Sequence, residues 1–252
     1  MVQLTTLTDY LAEILQPETV EDYCPNGLQV EGRAAVQRLV TGVTASQRFI
    51  DAAIEAKADA ILVHHGFFWK GEPAPITGMK GQRLQRLIRA DVSVLAYHLP
   101  LDIHRRFGNN ACLAEGLGIR VEPPLSAGGV PDLLWHGRLA APVTPAELAD
   151  RLQLHLNRLP LRIASEPKQI QHIAWCSGGG QKFLPAAAAL GVQAYISGEI
   201  SEPTTHEARE LGVHYFAAGH HATERGGVQA LGAHLAEHFG IDHQFIDDDN
   251  PA

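Results

Sequence analysis

Three short clusters combine residue types that hold transition-metal ions. The apolar run Ala60-Ile-Leu-Val63 leads into His64-His65-Gly66, and Val92-Ser-Val-Leu-Ala-Tyr97 leads into His98-Leu-Pro-Leu-Asp102. A third segment carries His220-His-Ala-Thr-Glu224. Neutral imidazole together with carboxylate suits Zn, Fe, Mn or Co rather than Mg or Ca. The set His64, His65, His98, Asp102, His220 and Glu224 exceeds what one tetrahedral ion needs and suits two ions roughly 3.5–4 Å apart. Only a carboxylate in this set can bridge two ions, so Asp102 and Glu224 are the bridging candidates, and Glu224 has the longer reach. His64 and His65 would each serve a different ion if the chain turns at Gly66. Two ions sharing a water lower its pKa and give hydroxide near neutral pH, which is hydrolase chemistry.

Each cluster alone has an ordinary explanation, because a histidine after a strand is commonly a hydrogen-bonded boundary residue. The weight lies in three clusters at strand ends, since parallel strands bring such ends to one edge of a sheet. His98 and His221 are the candidates for moving a proton. His221 adjoins His220, and a solvent-facing loop position is its alternative. His104, Phe67, Phe68 and Trp69 are candidate pocket walls, with core packing as the alternative for the aromatics. Arg225 is placed to meet a substrate phosphate or to pair locally. Ser177-Gly-Gly-Gly180 lacks the spacing of a dinucleotide fingerprint and reads as a tight turn, with anion binding as the alternative. No GxxxxGK[ST], HExxH or GxSxG occurs.

The elements that must position these groups are legible as apolar patterns. Leu7, Leu11, Ile14 and Leu15 have helical spacing and predict a helix over 5–16. Residues 22–32, with Pro25 and Asn26-Gly27, read as a turn-rich loop. A strand at 36–43, a helix at 45–57 and a strand at 60–63 follow. Residues 67–78 read as a loop, 80–90 as a helix, 92–97 as a strand and 110–116 as a helix. Prolines and glycines in 122–131 mark a half-boundary. Beyond it come a strand at 133–139, a capping-box helix starting at Thr144-Pro-Ala-Glu147 and a strand at 170–176.

The second half repeats the first. Residues 47–62 align without gaps on 181–196, with few identities but the same apolar pattern and element order. In that register His64-His65 falls on Gly198-Glu199, and His98-x-x-x-Asp102 is echoed by His220-x-x-x-Glu224. The reading is an α/β protein of two similar halves, 1–124 and 125–252, with the last strand and helix free to pack on the first half.

Composition narrows the class. A formal net charge of −8 argues against nonspecific binding to a nucleic-acid backbone. Cys24, Cys112 and Cys176 form no CxxC and suit a reducing compartment. The first residues lack the basic and apolar regions of a signal peptide. No run approaches the roughly 18 apolar residues of a membrane span. The expectation is a cytoplasmic protein with no membrane partner.

Several motifs point to a family. Asp22-Tyr-x-Pro-Asn-Gly-Leu-Gln-Val-Glu-Gly32, Val40-Thr-Gly-Val-Thr-Ala45, Val63-His-His-Gly-x-Phe-Trp69, His98-Leu-Pro-Leu-Asp102, Gly108-Asn-Asn110 and Gly219-His-His-Ala-Thr-Glu-Arg-Gly-Gly227 resemble the NIF3-like family. Its bacterial members often carry the name GTP cyclohydrolase 1 type 2 homolog. The resemblance implies two intertwined α/β halves with mixed sheets, a dimetal site between them and a homohexameric toroid. It assigns His64, His65, Asp102, His220 and Glu224 as ligands of two divalent ions (Zn, Fe, Mn or Ni) and puts His98 close to them. The expected function is a dinuclear-metal-dependent hydrolase, cyclohydrolase-like, acting on a nucleotide-derived or related small molecule. The alternative is a non-enzymatic metal-binding or regulatory adaptor protein.

Overall fold

A computed structural model describes residues 1–252. In chain order the elements are β1 (Val2–Gln3), α1 (Leu4–Leu15), β2 (Gly27–Val30), β3 (Ala35–Val36), β4 (Arg38–Thr44), α2 (Gln47–Glu55), β5 (Ala60–His65), α3 (Gly78–Arg89), β6 (Ser93–Ala96) and α4 (Leu99–Ile103). Then come α5 (Asn109–Leu117), β7 (Ile119–Ala127), β8 (Val130–Val143), α6 (Pro145–Leu156), β9 (Leu161–Ile163), β10 (Ile170–Cys176), α7 (Leu184–Ala189), β11 (Ala194–Ser197), α8 (Glu202–Glu210), β12 (His214–Ala217), α9 (His220–Phe239) and β13 (Asp242–Phe245). The chain forms two units: Met1–Gly108 with Arg225–Asp249, and Asn109–Glu224 with Asn250–Ala252.

In the first unit the sheet order is β13-β4-β5-β6-β2. The first four strands are parallel and β2 is antiparallel on β6. A parallel sheet needs cover on both faces, and the apolar runs supply two cores. Leu39, Leu62 and Leu95 pack with Leu7 and Leu11 of α1 and Leu231 and Leu235 of α9. Val40, Ile61, Val63 and Val94 pack with Phe49 and Ile50 of α2 and Leu84 and Leu87 of α3. Adjacent residues of β5 thus serve opposite faces, as a period of two requires. Strand β2 and helix α4 lie where a loop and an irregular strand exit were expected. Gly27–Val30 is too short, and too close to Pro25, to stand out as a strand in the sequence.

In the second unit the order is β7-β8-β10-β11-β12-β9, with β10, β11 and β12 parallel and the others antiparallel. Trp135, Ile173, Trp175 and Phe216 pack with Leu113 and Leu117 of α5 and Leu148 and Leu152 of α6. The capping box of α6 forms as expected, with Thr144 and Glu147 exchanging hydrogen bonds. The two units therefore repeat a β-α-β-α-β order, β4 to β6 in one and β10 to β12 in the other, and the fold is mixed α/β with mixed sheets.

Segment 122–131, expected as a half-boundary, is instead part of the β7–β8 hairpin. Gly128 and Gly129 turn it with φ of 59° and 84°. Pro123 and Pro124 are tolerated because β7 is an edge strand, and its register shifts between Glu122 and Leu125 where the prolines sit. The first segment of the first unit runs to Gly108, and Leu113, Leu117 and Ile119 pack in the second unit's core. No helix is long and apolar enough to cross a membrane.

Candidate metal-binding sites

The first unit gathers His64 and His65, the last two residues of β5, with His98, which lies just past the end of β6. His64 is fully buried, and its Nδ1 lies 2.9 Å from the carbonyl oxygen of Tyr97. A carbonyl only accepts, so Nδ1 carries the proton and Nε2 presents its lone pair. That Nε2 is 3.5 Å from Asp102 Oδ2. Helix α4 carries the carboxylate there, one turn after His98. His65 Nδ1 lies 3.1 Å from Thr44 Oγ1. Strand alternation would part the two neighbouring rings, yet their centroids are 4.7 Å apart, and those of His98 and His64 are 5.0 Å apart.

The turn at Gly66 is held tightly. The Gln29 amide accepts from the Phe67 N–H at 2.7 Å and donates to its carbonyl at 3.1 Å. A Cβ on Gly66 would lie 2.2 Å from Gln29 Oε1 and 2.6 Å from Ala96 Cβ, so only glycine fits.

His98 is fixed by Asp22, which the sequence reading did not single out as a site residue. Asp22 accepts hydrogen bonds from His98 Nδ1 at 2.9 Å, Leu99 N at 3.0 Å, Asn26 Nδ2 at 2.9 Å and Tyr23 N at 2.7 Å. The Asn26 side-chain oxygen Oδ1 in turn accepts from the His98 backbone N–H at 2.7 Å. Burial pushes the Asp22 carboxyl up, but the bond and charge of His98 and the amide donors outweigh it and bring the pKa down to about 2. A folded pKa below the unfolded value means stability that is fully present above about pH 4 and is lost as pH falls towards 2. In metal-free protein, Asp22→Asn should therefore cost about 2 kcal/mol at neutral pH. Urea unfolding should show that difference shrinking between pH 5 and pH 2, and a pH-independent difference would refute the assignment.

Trp69 stands beside these rings, with centroids 5.8 Å from His65 and 5.1 Å from His98. Phe67 is buried in the core, while Phe68 is partly exposed. His104 is held locally: its Nδ1 accepts from the Phe107 N–H at 2.9 Å, and its ring stacks on Phe107. Arg225 pairs with Asp247 at 2.9 Å, the local pairing that the sequence reading held as its alternative. Cys24, near Asp22, is buried, and burial foremost pushes its thiol up to about 12, so it stays protonated.

In the second unit His220 opens α9, and Glu224 follows one turn later. His220 Nε2 is 3.1 Å from Glu224 Oε1, and its Nδ1 is 2.8 Å from Glu199 Oε1. Glu199 is the residue that the repeat aligns with His65, and it is a ring-orienting carboxylate that the sequence reading left without a role. Burial lowers the affinity of His220 for a proton, but Glu224 and Glu199 together raise its pKa to about 9. The bond from His220 in turn holds the Glu199 carboxyl below its ordinary range. Glu224 is 2% exposed and His221 7%. The backbone N–H of His221 donates to the Ala252 carbonyl oxygen at 3.3 Å.

The triple-glycine segment is a structural turn packed against this pair. Gly178 has φ of 61°, and a Cβ on it would lie 2.2 Å from Glu224 Oε1 and 3.0 Å from His220 Nε2. The Gly178 carbonyl takes the N–H of Gly198 at 2.8 Å and the Ser197 hydroxyl at 3.1 Å, and its own N–H donates to Thr223 Oγ1 at 3.0 Å. The glycine leaves the space in which the imidazole and carboxylate meet.

This fold and these imidazole–carboxylate pairs define a class. The family model described as Duf34/NIF3 (NGG1p interacting factor 3) matches residues 2–251, and the chain belongs to that family. A protein of Vibrio cholerae serotype O1 named GTP cyclohydrolase 1 type 2 homolog is 56% identical over 243 residues, covering 96% of each chain. One of the same name from Allochromatium vinosum is 54% identical over 253 residues, covering 100% of this chain and 98% of its own. A solved structure described as protein ybgI, of unknown function, superposes with a TM-score of 0.95 at 49% identity, covering both chains completely.

Proposed function

We propose that the chain is a divalent-metal-dependent hydrolase acting on a nucleotide-derived small molecule. In this reading His64, His65 and Asp102 of the first unit and His220 and Glu224 of the second hold two ions. The observation that carries it is the arrangement of the two imidazole–carboxylate pairs. In His64–Asp102 and in His220–Glu224 an imidazole Nε2 meets a carboxylate oxygen, at 3.5 Å and 3.1 Å, while the ring's Nδ1 is already held by a carbonyl or by Glu199. Metal-bound histidines are oriented in this way, with the far nitrogen engaged by an oxygen acceptor. Imidazole nitrogen and carboxylate oxygen fit Zn, Fe, Mn or Ni, once an ion displaces the proton that His220 keeps in the metal-free pair.

Bound ions would supply Lewis-acid polarisation and a more acidic water. The chain's own residues do the rest. Asp22 accepts the hydrogen bond of His98 Nδ1–H, which leaves Nε2 to accept or return a proton on the side of the imidazole cluster. Trp69 and Tyr23, with centroids 5.1 Å from the His98 ring in both cases, offer flat faces against which a heteroaromatic ring can lie. Substrate class is taken from the relatives' shared name, which makes a purine nucleotide such as GTP the first candidate. The test is turnover of a nucleotide panel by metal-loaded protein, with Glu224→Ala as the control. Tight metal binding without turnover across the panel would instead favour a metal-binding or adaptor role.

A further inference from the structure

The β7–β8 hairpin and β10 carry a second group of metal-ligating side chains that the reading above does not use. Glu122 lies directly opposite His136 in the β7–β8 ladder, and His172 of β10 is opposite Arg138, diagonal to His136. All three residues therefore stand on strands, the most rigid elements for holding a constellation. The odd-numbered neighbours Trp135, Ile173 and Trp175 face the apolar core, so His136 and His172 face the other side of the sheet. Both are nonetheless buried, at 9% and 4% exposure.

We propose that Glu122, His136 and His172 bind a divalent transition-metal ion, at a site separate from the His220–Glu224 pair. Separation follows from the sheet: His172 is near the start of β10, whereas His220 lies past the end of the parallel strand β12. Four residues of strand from His172 to Cys176 already span roughly 13 Å.

The donor atom of His136 is fixed by its far nitrogen, whereas His172, whose Nδ1 accepts from Arg138 Nη2 at 3.4 Å, must give up its Nε2 proton to ligate through that atom. His136 Nε2 lies 3.0 Å from the Pro123 carbonyl oxygen, so it carries the proton and Nδ1 presents a lone pair. That Nδ1 is 3.2 Å from His172 Nε2 and 3.4 Å from Glu122 Oε2, and His172 Nε2 is 3.9 Å from the same oxygen. Ligand atoms about 2.0–2.1 Å from a common tetrahedral ion stand ~3.3–3.4 Å from one another, close to this triangle. Arg138 Nε holds the other carboxylate oxygen, Oε1, at 3.0 Å and leaves Oε2 turned to the rings. Burial above all, then the Arg138 charge, lowers the His172 pKa and keeps the ring neutral, the form that ligates. The Glu122 side chain is 30% exposed, which gives an ion a way in. Two imidazoles and one carboxylate select Zn(II), Co(II) or Fe(II) over Mg(II) or Ca(II), and three protein ligands leave a position for water or an external ligand.

The test uses Co(II) as the probe on the full chain. A His64→Ala/His220→Ala variant should retain one Co(II) per chain in equilibrium dialysis, with the visible absorption of a low-coordinate ion. Adding His172→Asn should remove that ion. Because a buried histidine can matter for folding, Glu122→Gln at the accessible edge is the second variant, and it should weaken Co(II) at least tenfold with an unchanged circular dichroism spectrum. Absence of bound Co(II) in the His64→Ala/His220→Ala variant would overturn the proposal. So would Co(II) that survives both further changes with affinity intact.

Discussion

Replacing Glu224 with alanine should strip the chain of most of its divalent metal and, with it, of hydrolytic turnover. Glu224 is the candidate bridging carboxylate, buried one helical turn from His220. Loss of a residue that merely orients a metal ligand costs ~10–100-fold in affinity or activity, so loss of a ligating carboxylate should exceed the upper end of that range. Glu224→Gln separates charge from shape: it keeps the volume but loses the anion, and should bind metal almost as poorly as alanine does. Metal content by mass spectrometry on protein purified without added metal, and turnover after reconstitution, read the two effects apart. A Glu224→Ala protein that keeps a full metal complement would sink the ligand assignment. One that keeps its metal affinity but loses turnover would move Glu224 from holding ions to handling substrate.

Gly178→Ala should be nearly as damaging, although alanine adds one methyl group. The position has φ of 61°, where a side chain costs on the order of 1–3 kcal/mol. The added Cβ would also sit 2.2 Å from Glu224 Oε1. The backbone cannot withdraw cheaply, because the Gly178 carbonyl and N–H are tied to Gly198, Ser197 and Thr223. Crowding of a packed site adds about 1–3 kcal/mol more, for a total of about 2–6 kcal/mol and a displaced carboxylate. Gly179→Ala is the control: its φ is not positive and its nearest neighbour would be an ordinary 3.6 Å away. Denaturant unfolding and Co(II) affinity of the two variants should diverge sharply. Equal behaviour would mean that the turn can relax and that the space above Gly178 is not needed.

The sequence disclosed the parts of this molecule that rest on local pattern. Apolar runs located β5, β6 and β10, and the ungapped match of 47–62 with 181–196 anticipated the shared β-α-β-α-β order. The histidines stood out because imidazole is uncommon at the end of a buried run. Groups joined only by tertiary contact stayed hidden. Asp22 and His98 are 76 residues apart, and Glu199 and His220 are 21 apart, at spacings that carry no periodic signal. The repeat did mark Glu199 as the counterpart of His65, but it could not say that a candidate ligand histidine in one half has a ring-orienting carboxylate as its counterpart in the other. The β7–β8 hairpin was masked because prolines and glycines signal a break unless the strand is known to be an edge. Glu122, His136 and His172 escaped notice for the related reason that strand register, not chain distance, makes them neighbours.

The path of the chain has a consequence for how the protein is made. Strand β13 pairs with β4 across about 200 residues, and α9 contributes Leu231 and Leu235 to the core beneath that sheet. The first unit has its larger segment, Met1–Gly108, made before the second unit, but cannot close its core until Arg225–Asp249 has left the ribosome. The second unit is nearly continuous from Asn109 to Glu224 and has no such wait. Contacts of long sequence separation form late because loop closure precedes any gain. Birth order and folding order are therefore reversed: pulse-labelled hydrogen exchange during refolding should protect the amides of β10 and β11 before those of β4, and simultaneous protection would contradict it. Nascent chains that have released residues up to 224, but not those beyond, would carry a nearly finished second unit and an unfinished first one, with an apolar face of the β4–β5 sheet still open to a chaperone.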